Sequence, residues 1–172
     1  MDFLELSKKR YSVREYESKK VEDDKLSRIL EAAKVAPTAC NNQPQRLIVV
    51  KTEEGLEKLK KGANVYGAPL AVIVCVDRSE SWKRPFDKKD IGDIDAGIVA
   101  THMVLEAEEL GLGTIWIGYL DPKAVKSEFN IPENVDPVSI IGIGYAKGQP
   151  ASPNRHSTER KPLEKWVNYE TF

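Results

Sequence analysis

The chain has 172 residues, a formal net charge of −1 and 31% charged residues. That length lets one domain bury a core without disulfides or a structural metal. The dispersed Lys and Arg argue against a nucleic-acid stripe, and no apolar stretch approaches the roughly 18 residues that would span a bilayer. No basic segment followed by an apolar run opens the chain, so a cytoplasmic protein with no membrane or nucleic-acid partner is expected. Cys40 and Cys75 form no CxxC, and His102 and His156 are too scattered for a metal cluster.

Asp2 and Glu5 have capping-box spacing, and the spacing predicts a first helix to about Lys9. A second starts near Glu22 to Asp24, carries Leu26, Ile29, Leu30 and Ala33 on one face, and stops at Pro37. The turn-rich stretch Pro37 to Pro44 follows, then a strand Leu47–Val50, a helix Glu53–Lys61 and a buried strand Ala68–Val76. Asp77 to Lys89 has no period and reads as an exposed excursion of the kind that borders sites.

Ile91 to Leu110 is apolar on nearly all faces with Ala96, Gly97, Ala100 and Ala107 between, which predicts a central helix. Gly111-Leu112-Gly113 then opens a strand running to Gly118. A dinucleotide fingerprint needs the reverse order, strand then helix, so that reading is rejected. Asp121-Pro122 starts a helix to about Phe129, and Val138–Tyr145 is the last strand. The polar remainder carries Trp166, Tyr169 and Phe172, which cannot form a core alone and are expected to bury against another subunit.

Arg10, Ser12 and Arg14 stand at alternate positions, so extended backbone turns all three to one face. Arginine's planar fork matches a phosphate bidentately, and two arginines with a hydroxyl suit a phosphate monoester. The plain alternative is two solvated arginines beside a serine cap. Between Pro37 and Pro44, the amides of Asn41, Asn42 and Gln43 offer donors and acceptors fit for the edge of a neutral heterocycle, or merely a turn between helix and strand. Gly118 suits a place where backbone approaches something flat. Cys75 is a small core residue, and His102 a satisfied core or interface histidine.

Arg10-Tyr11-Ser12-Val13-Arg14, Ala36 to Pro44, Glu109-Leu110-Gly111-Leu112-Gly113 into Trp116-Ile117-Gly118, and Arg160-Lys161-Pro162-Leu163 occur in one order across the chain. Together they resemble the nitroreductase family of FMN-dependent oxidoreductases. The resemblance implies an α+β three-layer sandwich: a central mixed sheet with helices on both faces, in a domain-exchanged homodimer. Residues 1–172 would form one FMN-binding domain, with 146–172 extending onto the partner. It assigns the FMN phosphate to Arg10, Ser12, Arg14, Arg160 and Lys161, with Tyr11 standing where a second arginine is common. It brings Pro37, Thr38, Ala39, Asn41 and Gln43 from the other subunit to the flavin ring, and the backbone of Ile117 and Gly118 to the ring's reactive nitrogen.

The activity so implied is transfer of a hydride from NADH or NADPH to flavin N5, followed by reduction of a nitroaromatic, quinone or similar oxidant on the same face. No side chain stands out as a general acid; the flavin carries the chemistry. An FMN-binding sensor or storage protein, or a specialised dehalogenase or flavin-fragmenting member of the same fold, would use the same contacts. Cys40 has a packing role, or a redox role if it lies near the flavin.

Overall fold

The computed structural model describes residues 2–152 and 154–172. Helix α1 (Phe3–Lys9) begins where the Asp2 carboxylate accepts the N–H groups of Leu4 at 2.9 Å and Glu5 at 3.3 Å. Helix α2 (Asp23–Lys34) buries Leu26, Ile29 and Ala33. Strand β1 (Gln45–Val50) leads to helix α3 (Glu53–Lys60), capped by the Thr52 hydroxyl, and strand β2 (Leu70–Asp77) follows. Helix α4 (Gly92–Glu109), strand β3 (Gly113–Ile117), helix α5 (Pro122–Phe129), strand β4 (Val135–Gly144) and the short helix α6 (Arg155–Thr158) complete the order.

The strands lie in the order β1-β2-β4-β3. Every pairing is antiparallel, so the expected mixture of strand directions is absent from these four strands. The parallel contact is an isolated bridge between Ser12 and Thr114. Strand β4 starts three residues before the expected Val138 because a register break between Val74 and Cys75 sets Ser139 and Pro137 opposite them and leaves Val138 over. A proline is tolerated in an inner strand at such a bulge.

All of β2 is buried, and its alternation divides the interior. Leu70, Val72, Val74 and Val76 join Ile29, Val99 and Met103 of α2 and α4. Ala71, Ile73 and Cys75 join Leu59 of α3 and Val125 of α5 on the other face. These are the three layers: helices, sheet, helices. Truncating Ile73 to alanine would cost about 2–5 kcal/mol, cavity included. Burial pushes the Cys75 thiol up to about 12, so it behaves as an inert core residue.

After α1 the chain runs extended beside the sheet. The Val13 N–H donates to Thr114 O at 2.9 Å, Glu17 N–H to Tyr145 O at 2.9 Å, and Lys147 N–H to Glu15 O at 2.9 Å. Val13 is buried, and the alternation that sends it inward turns Ser12 and Arg14 the other way. A Cβ on Gly113 would stand 2.5 Å from Val13 Cγ2, so glycine there is what lets this segment lie so close.

The excursion from Asp77 to Lys89 is less free than its composition predicts. Arg78 reaches Asp136 at 2.8 Å, Asp90 at 3.3 Å and Asp93 at 2.7 Å, while Ser81, which is buried, donates to Asp90 at 2.6 Å. Phe86 at its tip stays exposed.

Candidate functional site

Arg10 caps the C-terminus of α1 and lies half-buried where the extended segment begins. With Tyr11, Ser12, Arg14, Ala151, Arg155 and Arg160 it lines a cavity of about 260 Å³. Four of these residues are arginines and none is acidic, a lining whose charge and forked donors suit an anion. Burial, then repulsion from Arg155 and Arg160, holds the Arg10 guanidinium below its ordinary value, and Glu108 offsets this in part. A dianion would relieve that repulsion.

Arg155 was not among the residues picked from the sequence. Its guanidinium donates to Arg10 O at 2.9 Å, Ser152 O at 2.9 Å and, closer still, Lys8 O, while His156 Nε2 meets Lys8 O at 2.9 Å. Of these acceptors, Lys8 O and Arg10 O stand at the C-terminus of α1, where carbonyls are left open and cations are favoured. The available signal was a second basic residue five positions before Arg160 in a polar, proline-rich segment.

Arg14 also lines a second cavity of about 150 Å³, with Asn64, Tyr66, Ile115, Trp116, Ile117, Gly118 and Tyr119. Its guanidinium lies 6.0 Å from the Tyr66 ring centroid, and Asn64 Oδ1 accepts the Tyr66 N–H at 2.8 Å, fixing that turn. Along β3 Ile115 and Ile117 are buried and Trp116 faces out. A Cβ on Gly118 would meet nothing within 4 Å, so the strand ends on open backbone. A ligand with an anionic end and a flat end would span the two cavities across Arg14.

Lys161 does not line the arginine cavity. It borders a groove of about 1190 Å³ with Leu4, Lys8, His156, Arg160 and Trp166, larger than the arginine cavity but sharing only Arg160 with it. The loop of Pro37, Thr38, Ala39, Asn41 and Gln43 lines neither cavity of its own chain. It enters β1, at the sheet edge opposite β3, three strand spacings or about 14 Å away. Its shape is well defined: Asn41 N–H donates to Thr38 O at 3.0 Å, Gln43 N–H to Thr38 Oγ1 at 3.1 Å, and Gln43 Nε2 to Asn41 O at 3.0 Å. Cys40, Asn41 and Gln43 sit at φ of 51°, 55° and 51°.

His102 is satisfied by Ile98 O at 2.9 Å. Among the described residues no group of His, Cys, Asp or Glu could hold a metal ion, and no helix is long and apolar enough to cross a membrane. Phe3, Leu4, Val35, Ile94, Leu163, Trp166, Tyr169 and Phe172 are exposed on the single chain.

Residues 7–65 and 57–145 match the profile of the nitroreductase family. A protein of Methanothermobacter thermautotrophicus named as an NADH dehydrogenase/NAD(P)H nitroreductase is 36% identical over 96% of this chain and 88% of its own. Among solved structures, a nitroreductase family protein of Clostridium difficile 630 matches with a TM-score of 0.98 at 50% identity, with 100% of both chains covered. An FMN-dependent nitroreductase of Clostridium difficile R20291 matches with a TM-score of 0.81 at 30% identity, covering 98% of this chain and 99% of that one.

Proposed function

The chain belongs to the nitroreductase family, and from that membership we propose that it is an NAD(P)H oxidoreductase that holds FMN across its two cavities and reduces small oxidants such as nitroaromatics or quinones. The observation that carries this reading is Arg14, shared between a cavity of four arginines and the open backbone at Gly118. The donor set fits FMN. Four guanidiniums and the Ser12 hydroxyl suit a phosphate monoester, and the space where a Gly118 Cβ would stand admits a planar ring.

When bound, FMN would supply two-electron redox chemistry between NADH or NADPH and the oxidant, in a ping-pong cycle. The chain's residues position and polarise. Arg10, Ser12, Arg155 and Arg160 hold the phosphate beside Tyr11, while Lys161 adds positive charge from the neighbouring groove. Arg14 places a fixed cation between phosphate and ring, favouring negative charge on the ring. The backbone of Ile117 and Gly118, which lines the second cavity, would meet the ring edge. Water or the oxidant supplies protons, since no acidic side chain lines either cavity.

The loop from Pro37 to Gln43 reaches the ring of the partner's flavin in a homodimer, each domain of 172 residues laying its segment 146–172 on the other. Two features support this. The loop lines neither cavity of its own chain, and Phe3, Val35, Trp166, Tyr169 and Phe172 expose apolar surface that a partner would cover.

The test is a visible spectrum of the purified protein with FMN, before and after anaerobic NADH or NADPH. Bleaching by either nucleotide, and return of colour with a quinone, is expected. A bound flavin that neither nucleotide reduces would favour a sensor; no bound flavin would remove the reading.

A further inference from the structure

Asp95 lies in the first turn of α4 and is 1% exposed. Its Oδ1 accepts the Ala39 N–H at 2.8 Å, across 56 residues of sequence, and its Oδ2 has no hydrogen-bond partner. A carboxylate buried among Ala96, Val99 and their neighbours with one partner is a costly way to fill space, even with the helix N-terminus favouring its charge. What it holds is the start of the loop described above.

That loop needs holding. Left-handed backbone is unfavourable for any residue with a Cβ, and Cys40, Asn41 and Gln43 adopt it within four positions. Thr38 satisfies two loop N–H groups through its carbonyl and hydroxyl, but those bonds stay inside the loop. At its exit into β1 the loop is tied to the body of the chain by Arg46 Nη1 to Gln43 O at 3.2 Å and Asp77 N–H to Pro44 O at 2.8 Å. Midway, Asn42 Nδ2 donates to Glu80 O at 3.0 Å, between exposed groups where water competes. At its start the tie is Ala39 to Asp95, a partly buried bond to a carboxylate that is itself buried, where a hydrogen bond is harder to replace.

We infer that Asp95 is a positioning residue: its carboxylate, by fixing Ala39, sets the shape in which Thr38, Asn41 and Gln43 are offered to the partner's flavin. This rests on the proposal that the loop meets the flavin. Asp95 itself touches neither cavity.

Three variants of the full chain separate the hydrogen bond from its surroundings. Asp95→Ala removes the acceptor. Asp95→Asn keeps an acceptor oxygen and removes the charge. Ala39→Pro removes the donor and leaves the buried carboxylate in place; Thr38 already has φ −132° and ψ 159°, the extended conformation a following proline requires, and position 39 opens a 3-10 turn where proline is tolerated. Amide hydrogen exchange, with and without FMN, reports the loop, and an FMN titration with kcat and KM for NADH reports the site. Asp95→Ala and Ala39→Pro should speed exchange at Asn41 and Gln43 about tenfold and weaken FMN about tenfold, with kcat falling more than KM moves. Asp95→Asn should restore both.

Unchanged exchange in Asp95→Ala and Ala39→Pro overturns the anchor. Equal loss in Asp95→Asn and Asp95→Ala overturns the hydrogen-bond account in favour of charge. Faster exchange with unaltered flavin binding and turnover keeps the anchor and removes the loop from the flavin site. If Asp95→Ala does not fold, Ala39→Pro decides alone.

Discussion

The guanidinium of Arg155 donates to the carbonyl of Arg10 at 2.9 Å, so two cations that repel each other are held on one cavity by a peptide oxygen. Fold and site share this contact. Arg155→Ala is expected to lower both thermal stability and FMN affinity, the latter about tenfold, because bonds to a charged donor are each worth roughly 1.5–3 kcal/mol and part of that is lost to water. Arg155→Lys, lacking the fork that serves Lys8, Ser152 and Arg10 together, should recover little of the stability. Calorimetry beside a flavin-fluorescence titration checks both.

Arg14 and Arg160 should separate by ligand. Arg160 lines the anion cavity and the groove beside it but not the cavity at Gly118, whereas Arg14 lines both the anion cavity and the one at Gly118. Arg160→Ala is expected to weaken FMN about tenfold and leave riboflavin, which has no phosphate, unchanged. Arg14→Ala should weaken both while leaving the fold intact, since its side chain is exposed and makes one long bond, to Ser12 O at 3.4 Å. Equal effects of the two variants on riboflavin would refute the division.

Two glycines of the same strand region should answer oppositely. Gly113→Ala drives a methyl into Val13 and is expected to destabilise by about 1–3 kcal/mol. Gly118→Ala meets open space, so its melting temperature should match the parent while FMN binding weakens. A denaturation series with an FMN titration distinguishes them.

Acid should loosen the excursion from Asp77 to Lys89 as the carboxylates that anchor it take up protons. The Asp136 carboxyl is lowered by its bonds to Arg78 and Lys126. Burial alone would raise Asp90, but the Ser81 hydroxyl, the Gly92 N–H and Arg78 outweigh it. Arg84 takes Asp87 down to about 2, and the Tyr145 hydroxyl, with Lys19, takes Glu22 from its ordinary 4.5 to about 2. All are depressed in the folded chain, so the unfolded chain binds these protons first. Their contribution is whole above the ordinary carboxylate range and is lost as pH falls towards about 2. Urea midpoints across that range should fall steeply in the parent and less steeply in Arg78→Ala, whose higher-pH stability is already reduced.

Local chemistry made much of this fold legible in advance. Asp2, Thr52 and Asp121 with Pro122 mark helix starts because a cap acts on the N–H groups beside it, and β2 announces itself by an unbroken apolar run. What stayed hidden is long-range. Arg78 looks like any loop arginine until Asp90, Asp93 and Asp136 gather round it. Asp95 reads as a polar position on a helix and becomes meaningful only through Ala39. The alternation of Arg10, Ser12 and Arg14 foretold a shared face, but Arg155 reaches it from 145 residues away. Strand direction was equally hidden, because no residue in β1 or β3 encodes which way its neighbour runs.

The pairing of Val13 with Thr114 and of Glu17 with Tyr145 bears on how the protein is made. Arg10, Ser12 and Arg14 are synthesised well before the strands their segment docks on, and the cation closing α1 comes later still. Until those strands emerge the early residues have nowhere to go. Sheet closure waits for β4, which must insert between β2 and β3, so a nascent chain stalled before it exposes the apolar length of β2 with one neighbour. Truncations from the C-terminal side should therefore yield insoluble chains, not smaller folded ones.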